Sequence, residues 1–157
     1  MKKVRSIGFA VMVMVVLITG HLVHAAVETS MPKYSLNAIY LDGILAEPHD
    51  GIGPMVTECG YAIVPLRTII EIVGGEVFWS NYAQIRIEIP EVPSSLVTLG
   101  NQEFWAQGRP RLTHIQPHLY RNRTMVSIWT ARRILEDHVE VYFDYQINTV
   151  IMNRLTT

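Results

Sequence analysis

Arginines are the residues in this 157-residue chain whose types and spacing come closest to a site. Arg109, Arg111, Arg121 and Arg123 flank one stretch, "RPRLTHIQPHLYRNR", and Arg132 and Arg133 follow soon after. A guanidinium presents fixed donors to carboxylate or phosphate and keeps its charge, so these side chains suit binding of anions. The same stretch holds His114 and His118, four apart, the spacing that puts two metal ligands on one helix face. Pro117 lies between them in a segment that reads as loop. No cysteine or carboxylate stands close in sequence to complete a set of three or four ligands. Loop histidines or weak transition-metal binding are the two readings, and the missing ligand favours the first. No metal or cofactor is expected.

Other chemistry is thinly supplied. Serine, histidine and aspartate occur, but no serine sits in a nucleophile elbow. "GIG" at 51–53 lacks the lysine of a phosphate loop and reads as a turn. Glu71, Glu76 and Glu88 alternate with apolar residues and belong on solvated faces. Trp79, Trp105 and Trp129, with Tyr142, Phe143 and Tyr145, could stack on sugar rings; strand packing is the favoured reading, since aromatics are common in strands. Cys59 has no partner within the chain, so it is either a half-buried small apolar residue or one end of an intermolecular bridge.

Charge and export narrow the partners. Residues 1–25 have the form of a secretory signal: Lys2, Lys3 and Arg5, then a dozen apolar residues, then a cut expected between Ala25 and Ala26. The apolar run is shorter than the roughly 20 residues of a bilayer span. Membrane attachment is expected only if the signal is kept as an anchor. Setting the three basic signal residues aside leaves ten Lys+Arg against 14 Asp+Glu, a formal charge of −4. Nucleic acid is therefore not an expected partner. Residues 26–38 read as a leader and 153–157 as a tail.

The elements that must position these residues occur in two rounds. "YLDGILAE" reads as a hairpin around Asp42-Gly43. "VPLRTIIEIVGG" passes from strand to helix at Pro65, carries Leu66, Ile69, Ile70 and Val73 on one helical stripe, and stops at Gly74-Gly75. "EVFWS" and "QIRIEI" close the round as strands. The second round repeats the order, with Ile128, Ala131, Ile134 and Leu135 on its helical stripe, then "VEVYFD" and "NTVIM". Val64 answers Val126 at an offset of 62. The spacing predicts copies at 39–89 and 96–152, helices over 66–73 and 128–135, and an α+β fold of two strand-strand-helix-strand-strand units sharing one twisted antiparallel sheet and one helix core. Neither copy buries its apolar face alone, because about 60 residues make a marginal domain.

This succession over 39–152, with "YLDG", "VPLR", "GGEVFW", "NRTMV" and "VEVYFD" in order, resembles the copper amine oxidase-like N-terminal domain, also called the stalk domain. The resemblance implies tandem units on exported bacterial proteins and a secreted or cell-surface location. It does not imply oxidase activity or copper. In that family the three histidine ligands and the quinone-forming tyrosine belong to a separate, larger catalytic domain, which a chain this short is not expected to contain. Asn81-Tyr82-Ala83 also lacks the acidic residue that follows the family's Asn-Tyr. The second copy departs from the pattern, with Ser127 in place of Pro65 and Trp129 in place of Arg67. Arg67 is expected to pair with a carboxylate or to bond carbonyls across the boundary between copies, and Pro65, Gly74, Gly75 and Trp79 to hold the fold. The sequence thus points to a non-enzymatic exported module that binds or spaces at the cell surface, its partner an envelope polymer or protein. The alternative is a carbohydrate or anionic wall-polymer binder that uses the arginines and aromatics.

Overall fold

Three two-residue turns organise the chain. Asp42 and Gly43 take φ of 51° and 78°, which joins β1 (Ile39–Leu41) to β2 (Ile44–Ala46) with Leu41 opposite Ile44. Gln107 and Gly108, at 52° and 74°, join β8 (Glu103–Ala106) to β9 (Arg109–Leu112). Arg121 and Asn122, at 46° and 65°, join β10 (His118–Tyr120) to β11 (Arg123–Ser127). Positive φ at both central residues matches the turn to the twist of the paired strands. The first turn agrees with the sequence. The other two correct it, because residues 109–123 contain two strands and a hairpin rather than one long loop. Pro110 is tolerated there because β9 is an edge strand, and a missing N–H on its open side costs no ladder bond.

The computed structural model describes residues 36–48, 51–80 and 83–156. The expected signal, all of the leader except its last three residues, His49, Asn81 and Tyr82 lie outside them. Among the described residues the remaining elements are β3 (Met55–Val56), β4 (Ala62–Pro65), α1 (Leu66–Ile72), β5 (Glu76–Trp79), β6 (Gln84–Ile89), β7 (Val92–Thr98), α2 (Ile128–Ile134), β12 (Val139–Asp144) and β13 (Thr149–Arg154). The fold is α+β, mostly sheet with two helices. Strand β7 starts at Val92, so the stretch before residue 96 is strand and not linker.

The expectation of one antiparallel sheet is not met. The strands form three sheets, ordered β12-β13-β1-β2, β10-β11-β4-β3 and β5-β6-β7-β8-β9. Strands β1 and β13 run parallel, Ile39 opposite Val150. No local pattern could announce that pairing, because its partners come from opposite ends of the domain. In the middle sheet β4 and β11 pair antiparallel with Val64 opposite Val126, flanked by Ile63–Ser127 and Pro65–Met125.

Both helices begin where β4 and β11 end, but they start differently. Pro65 is the last residue of β4 and sits just before α1 in extended conformation, with no side-chain cap; it had been expected inside the first turn. Ser127 caps α2, its Oγ accepting from the Thr130 backbone N–H at 3.0 Å. The hydroxyls of Ser127, Thr130 and Thr113 are all buried and within 2.9–3.2 Å of one another, and Thr113 Oγ1 donates onward to the Ile115 carbonyl. A buried hydroxyl must be paired, so one substitution strands its neighbours. Ser127→Ala is expected to cost about 1–2 kcal/mol, the range of a lost N-cap. A urea midpoint that does not move would show that this chain of hydroxyls carries no stability.

Helix α1 stops as the two glycines predict. Gly74 takes φ +89°, its N–H bonds the Glu71 carbonyl at 3.0 Å, and Gly75 N–H bonds the Ile70 carbonyl at 2.9 Å. Together these bonds close a Schellman motif. The apolar stripes of both helices face one core. Leu66, Ile69, Ile70, Ile134 and Leu135 are fully buried there with Ile39, Val64, Phe104, Val126 and Val150. Val73, expected to be largely buried, is only partly so and packs on the core's rim.

Candidate functional site

The four arginines that are neighbours in sequence are distributed over two sheets. Arg109 and Arg111 lie on β9, at the edge of the five-stranded sheet. Arg111 reaches Glu136 at 3.5 Å, and Arg133 bonds the same carboxylate while its guanidinium lies 5.3 Å over the Trp129 ring. Arg111 is thereby drawn into a local network with the end of α2. Arg121 occupies a turn, 5.5 Å over Tyr120. Arg123 opens β11 in the four-stranded sheet β10-β11-β4-β3 and lines a cavity.

That cavity is the candidate site. It encloses about 340 Å³ and is lined by Arg67, Val77, Trp79, Leu119, Asn122, Arg123 and Thr124. Helix α1 supplies Arg67 from its first turn, β5 supplies Val77 and Trp79, and the β10–β11 hairpin supplies the rest. Arg67 bonds inside its own round, donating to the Val77 carbonyl at 3.5 Å and standing 3.8 Å from the Glu71 carboxylate. Of the two roles expected for Arg67, the carboxylate partner is present in Glu71 at i,i+4, and the carbonyl it bonds is that of Val77, ten residues on, rather than one across the boundary. Both contacts are long and exposed, so they hold Arg67 only loosely.

The aromatics also depart from the sequence reading. Trp79 is 47% exposed, because it ends β5 and its ring forms a wall of the cavity instead of entering the core. Trp105, Tyr142 and Tyr145 are exposed too. Trp129 and Phe143 are the ones partly buried against the core, Trp129 at right angles to Phe104 with ring centroids 5.8 Å apart. The Tyr142 phenol is held above its ordinary range, first by its hydrogen bond to Glu140.

A second, wider cavity of about 710 Å³ adjoins the first, and Leu119 lines both. His114 and His118 face it from a loop and from β10, not from one helix face. Among the described residues no three His, Cys, Asp or Glu side chains stand close enough to hold a metal ion. Cys59 is exposed at the rim of this cavity and not half-buried. It lies in the turn between β3 and β4, where Gly60 takes φ +82° and the Thr57–Tyr61 bonds tie the ends.

Two guanidiniums, an amide, a hydroxyl and an indole line the first cavity. An arginine does not give up its proton in the physiological range, and the arrangement suits planar anions and flat rings. The class defined by fold and cavity is a small α+β domain, mostly sheet with two helices, with arginine and tryptophan side chains lining a surface cavity. The chain matches the copper amine oxidase N-terminal domain over residues 52–152 and belongs to that family, a domain that is itself non-catalytic. The match begins after β1 and β2, although both strands complete the sheet that contains β12 and β13. No curated protein and no solved structure matches the chain. Among the described residues no helix is long and apolar enough to cross a membrane.

Sequence reasoning named Arg123, Arg67 and Trp79 separately, the last two as structural. It missed Leu119, Asn122 and Thr124 altogether. The "RN" pair at Arg121-Asn122 was the available signal for the hairpin, since asparagine tolerates positive φ in tight turns.

Proposed function

We propose that this protein is an exported, non-enzymatic module of the bacterial cell surface, built from two copies of one unit, and that it binds an anionic envelope carbohydrate in the cavity between Arg67, Trp79 and Arg123. The duplication is supported by the pairing of Val64 with Val126, which places equivalent residues opposite one another about a local two-fold. It is supported again by the sheets: β5–β6 of the first copy share one with β8–β9 of the second, and β12–β13 of the second share one with β1–β2 of the first. Export rests on the signal-like residues 1–25.

The observation that carries the binding reading is the cavity itself, where two arginines and a half-exposed tryptophan share about 340 Å³. Guanidiniums pair with carboxylates or phosphates, and an indole face stacks on a sugar ring. A spacer needs neither. Volume and makeup fall in the range of small-ligand sites, about 300–1,000 Å³ with a few placed polar groups.

The test is co-sedimentation with purified wall material across a salt series. The wild type is expected to bind at 0.1 M salt and to release as the screening length shortens from about 10 Å to about 3 Å at 1 M. Arg67→Gln with Arg123→Gln should lower affinity at least about tenfold, the effect of roughly 1.4 kcal/mol, near the low end for a lost charged hydrogen bond. Arg109→Gln with Arg121→Gln should change it far less. The reverse ranking would return the site to the cluster read from sequence. Absence of binding by the wild type would leave the spacer reading.

A further inference from the structure

Each of the three sheets ends in two edge strands, and all of these but β12 are short or guarded. Strands β2, β3 and β10 have only two or three residues. Strand β9 carries Pro110 between two arginines, and the Arg67 side chain lies on the Val77 carbonyl of β5. Such devices keep an edge from pairing with other chains. Strand β12 has six residues, "VEVYFD", with no lysine, arginine or proline. In an antiparallel pair, alternate residues turn their N–H and C=O toward the partner strand. His138 does so toward β13, its carbonyl accepting from the Leu155 N–H at 3.0 Å. Glu140, Tyr142 and Asp144 follow in register, which turns Val139, Val141 and Phe143 outward. The Val139 N–H bonds the Leu135 carbonyl at the end of α2, at 3.0 Å. Among the described residues the backbone groups of Val141 and Phe143 have no partner. Val139 and Val141 are buried on the core face, and Glu140 is exposed on the other. A cavity of about 360 Å³ touches all three and is also lined by Trp129, Arg132 and Arg133 of α2, so it runs along this edge.

We propose that the open edge of β12 pairs antiparallel with that of a second copy of this chain, centred on Val141, joining two four-stranded sheets into one continuous sheet. Dimerisation of this kind does not depend on what the first cavity holds. Charge complementarity selects both the occupant and the register. Residues directly opposite one another share a face of the sheet, so the two-fold axis falls on a residue. About Glu140, that carboxylate meets its own copy. About Tyr142, Glu140 meets the partner's Asp144 on both sides of the axis. Like charges directly opposite are destabilising. About Phe143, Val141 falls opposite the partner's Tyr145, beyond the strand's end, and an axis on Val139 leaves Phe143 unpaired. About Val141, Glu140 meets the partner's Tyr142, and His138 meets the partner's Asp144. Val141 then exchanges both its bonds with the partner's Val141, and each Phe143 N–H reaches the partner's Val139 carbonyl. This register answers every free N–H of the edge and opposes no two acids. The strand's own sequence thus supplies the complement that each of its acids requires.

Sedimentation velocity and amide hydrogen exchange of the purified protein test this, with reductant present so that Cys59 does not join the chains. A monomer–dimer equilibrium is expected between about 1 μM and about 1 mM, the range of weak to moderate complexes. The amides of Val141 and Phe143 should exchange at least about tenfold more slowly once the dimer forms, while those of Val139 and Tyr142, bonded within the chain, keep their rates. Tyr142→Glu sets like charges opposite each other at both ends of the contact and should weaken dimerisation at least about tenfold. Adding Glu140→Lys should restore it. Both side chains are exposed, so an unchanged far-UV circular dichroism spectrum is expected of either variant and shows that it is folded. A wild type that stays monomeric throughout overturns the inference. So does a dimer whose newly protected amides lie on another edge, or one indifferent to Tyr142→Glu in a folded variant. Each of these outcomes leaves the reading of the first cavity untouched, since no residue of that cavity is altered.

Discussion

Phe104→Ala is expected to lower the unfolding free energy by about 3–5 kcal/mol, the range for emptying a buried phenylalanine site. Phe104 is 1% exposed on β8 and meets the edge of Trp129. It belongs to the cluster that also holds Ile39 from the first strand and Val150 from the last. The loss should therefore appear as one cooperative transition, with tryptophan fluorescence and far-UV circular dichroism coinciding in urea. The adjacent Trp105 points to the other face of the strand and is 49% exposed. Trp105→Ala should cost no more than about 0.5 kcal/mol, as surface changes usually do. Two separate transitions, or equal costs at the two positions, would mean that the halves have separate cores.

Gly75→Ala comes next, at about 1–3 kcal/mol, the cost of overpacking. A Cβ there would stand 2.7 Å from the Ile70 side chain, 2.8 Å from the Glu88 carbonyl oxygen and 2.9 Å from the Ile89 side chain. The carbonyl belongs to β6, so relief requires α1 and the β5–β6 hairpin to separate. Gly74 gives the contrast. A Cβ there meets open space, and only its φ of +89° resists, at about 1–2 kcal/mol for an L-residue in that region. Thermal unfolding of the two variants separates the mechanisms. Only the Gly75 variant is expected to move the hairpin, visible as shifted amide resonances along β6. Unshifted β6 resonances in a stable Gly75 variant would show that the contact is slack.

The two elements that position Arg67 and Arg123 were legible to different degrees. Helix α1 could be read from Leu66, Ile69 and Ile70 at helical spacing, and from the glycines that stop it. The β10–β11 hairpin that carries Arg123 was read as loop, because His118–Tyr120 is only three residues long and too short to show an alternating pattern. Helix ends held to within a residue, with Val73 and Leu135 serving as C-caps. Trp79 was misjudged because a strand's alternation does not say which face the rest of the fold will cover.

Taken alone, the sequence determined what depends on neighbours along the chain: the Asp42-Gly43 turn, both helices, the Gly74 stop, the α+β class and the shared core implied by the apolar stripes of the two helices. Tertiary structure alone decided what depends on partners distant in sequence. It set β1 beside β13, divided the strands among three sheets, separated Arg109 and Arg111 from Arg123, and brought Arg123 to the cavity with Arg67 and Trp79. Local periodicity records which face of an element is apolar, but the choice of partner for that face is made by burial and hydrogen bonding summed over the whole chain.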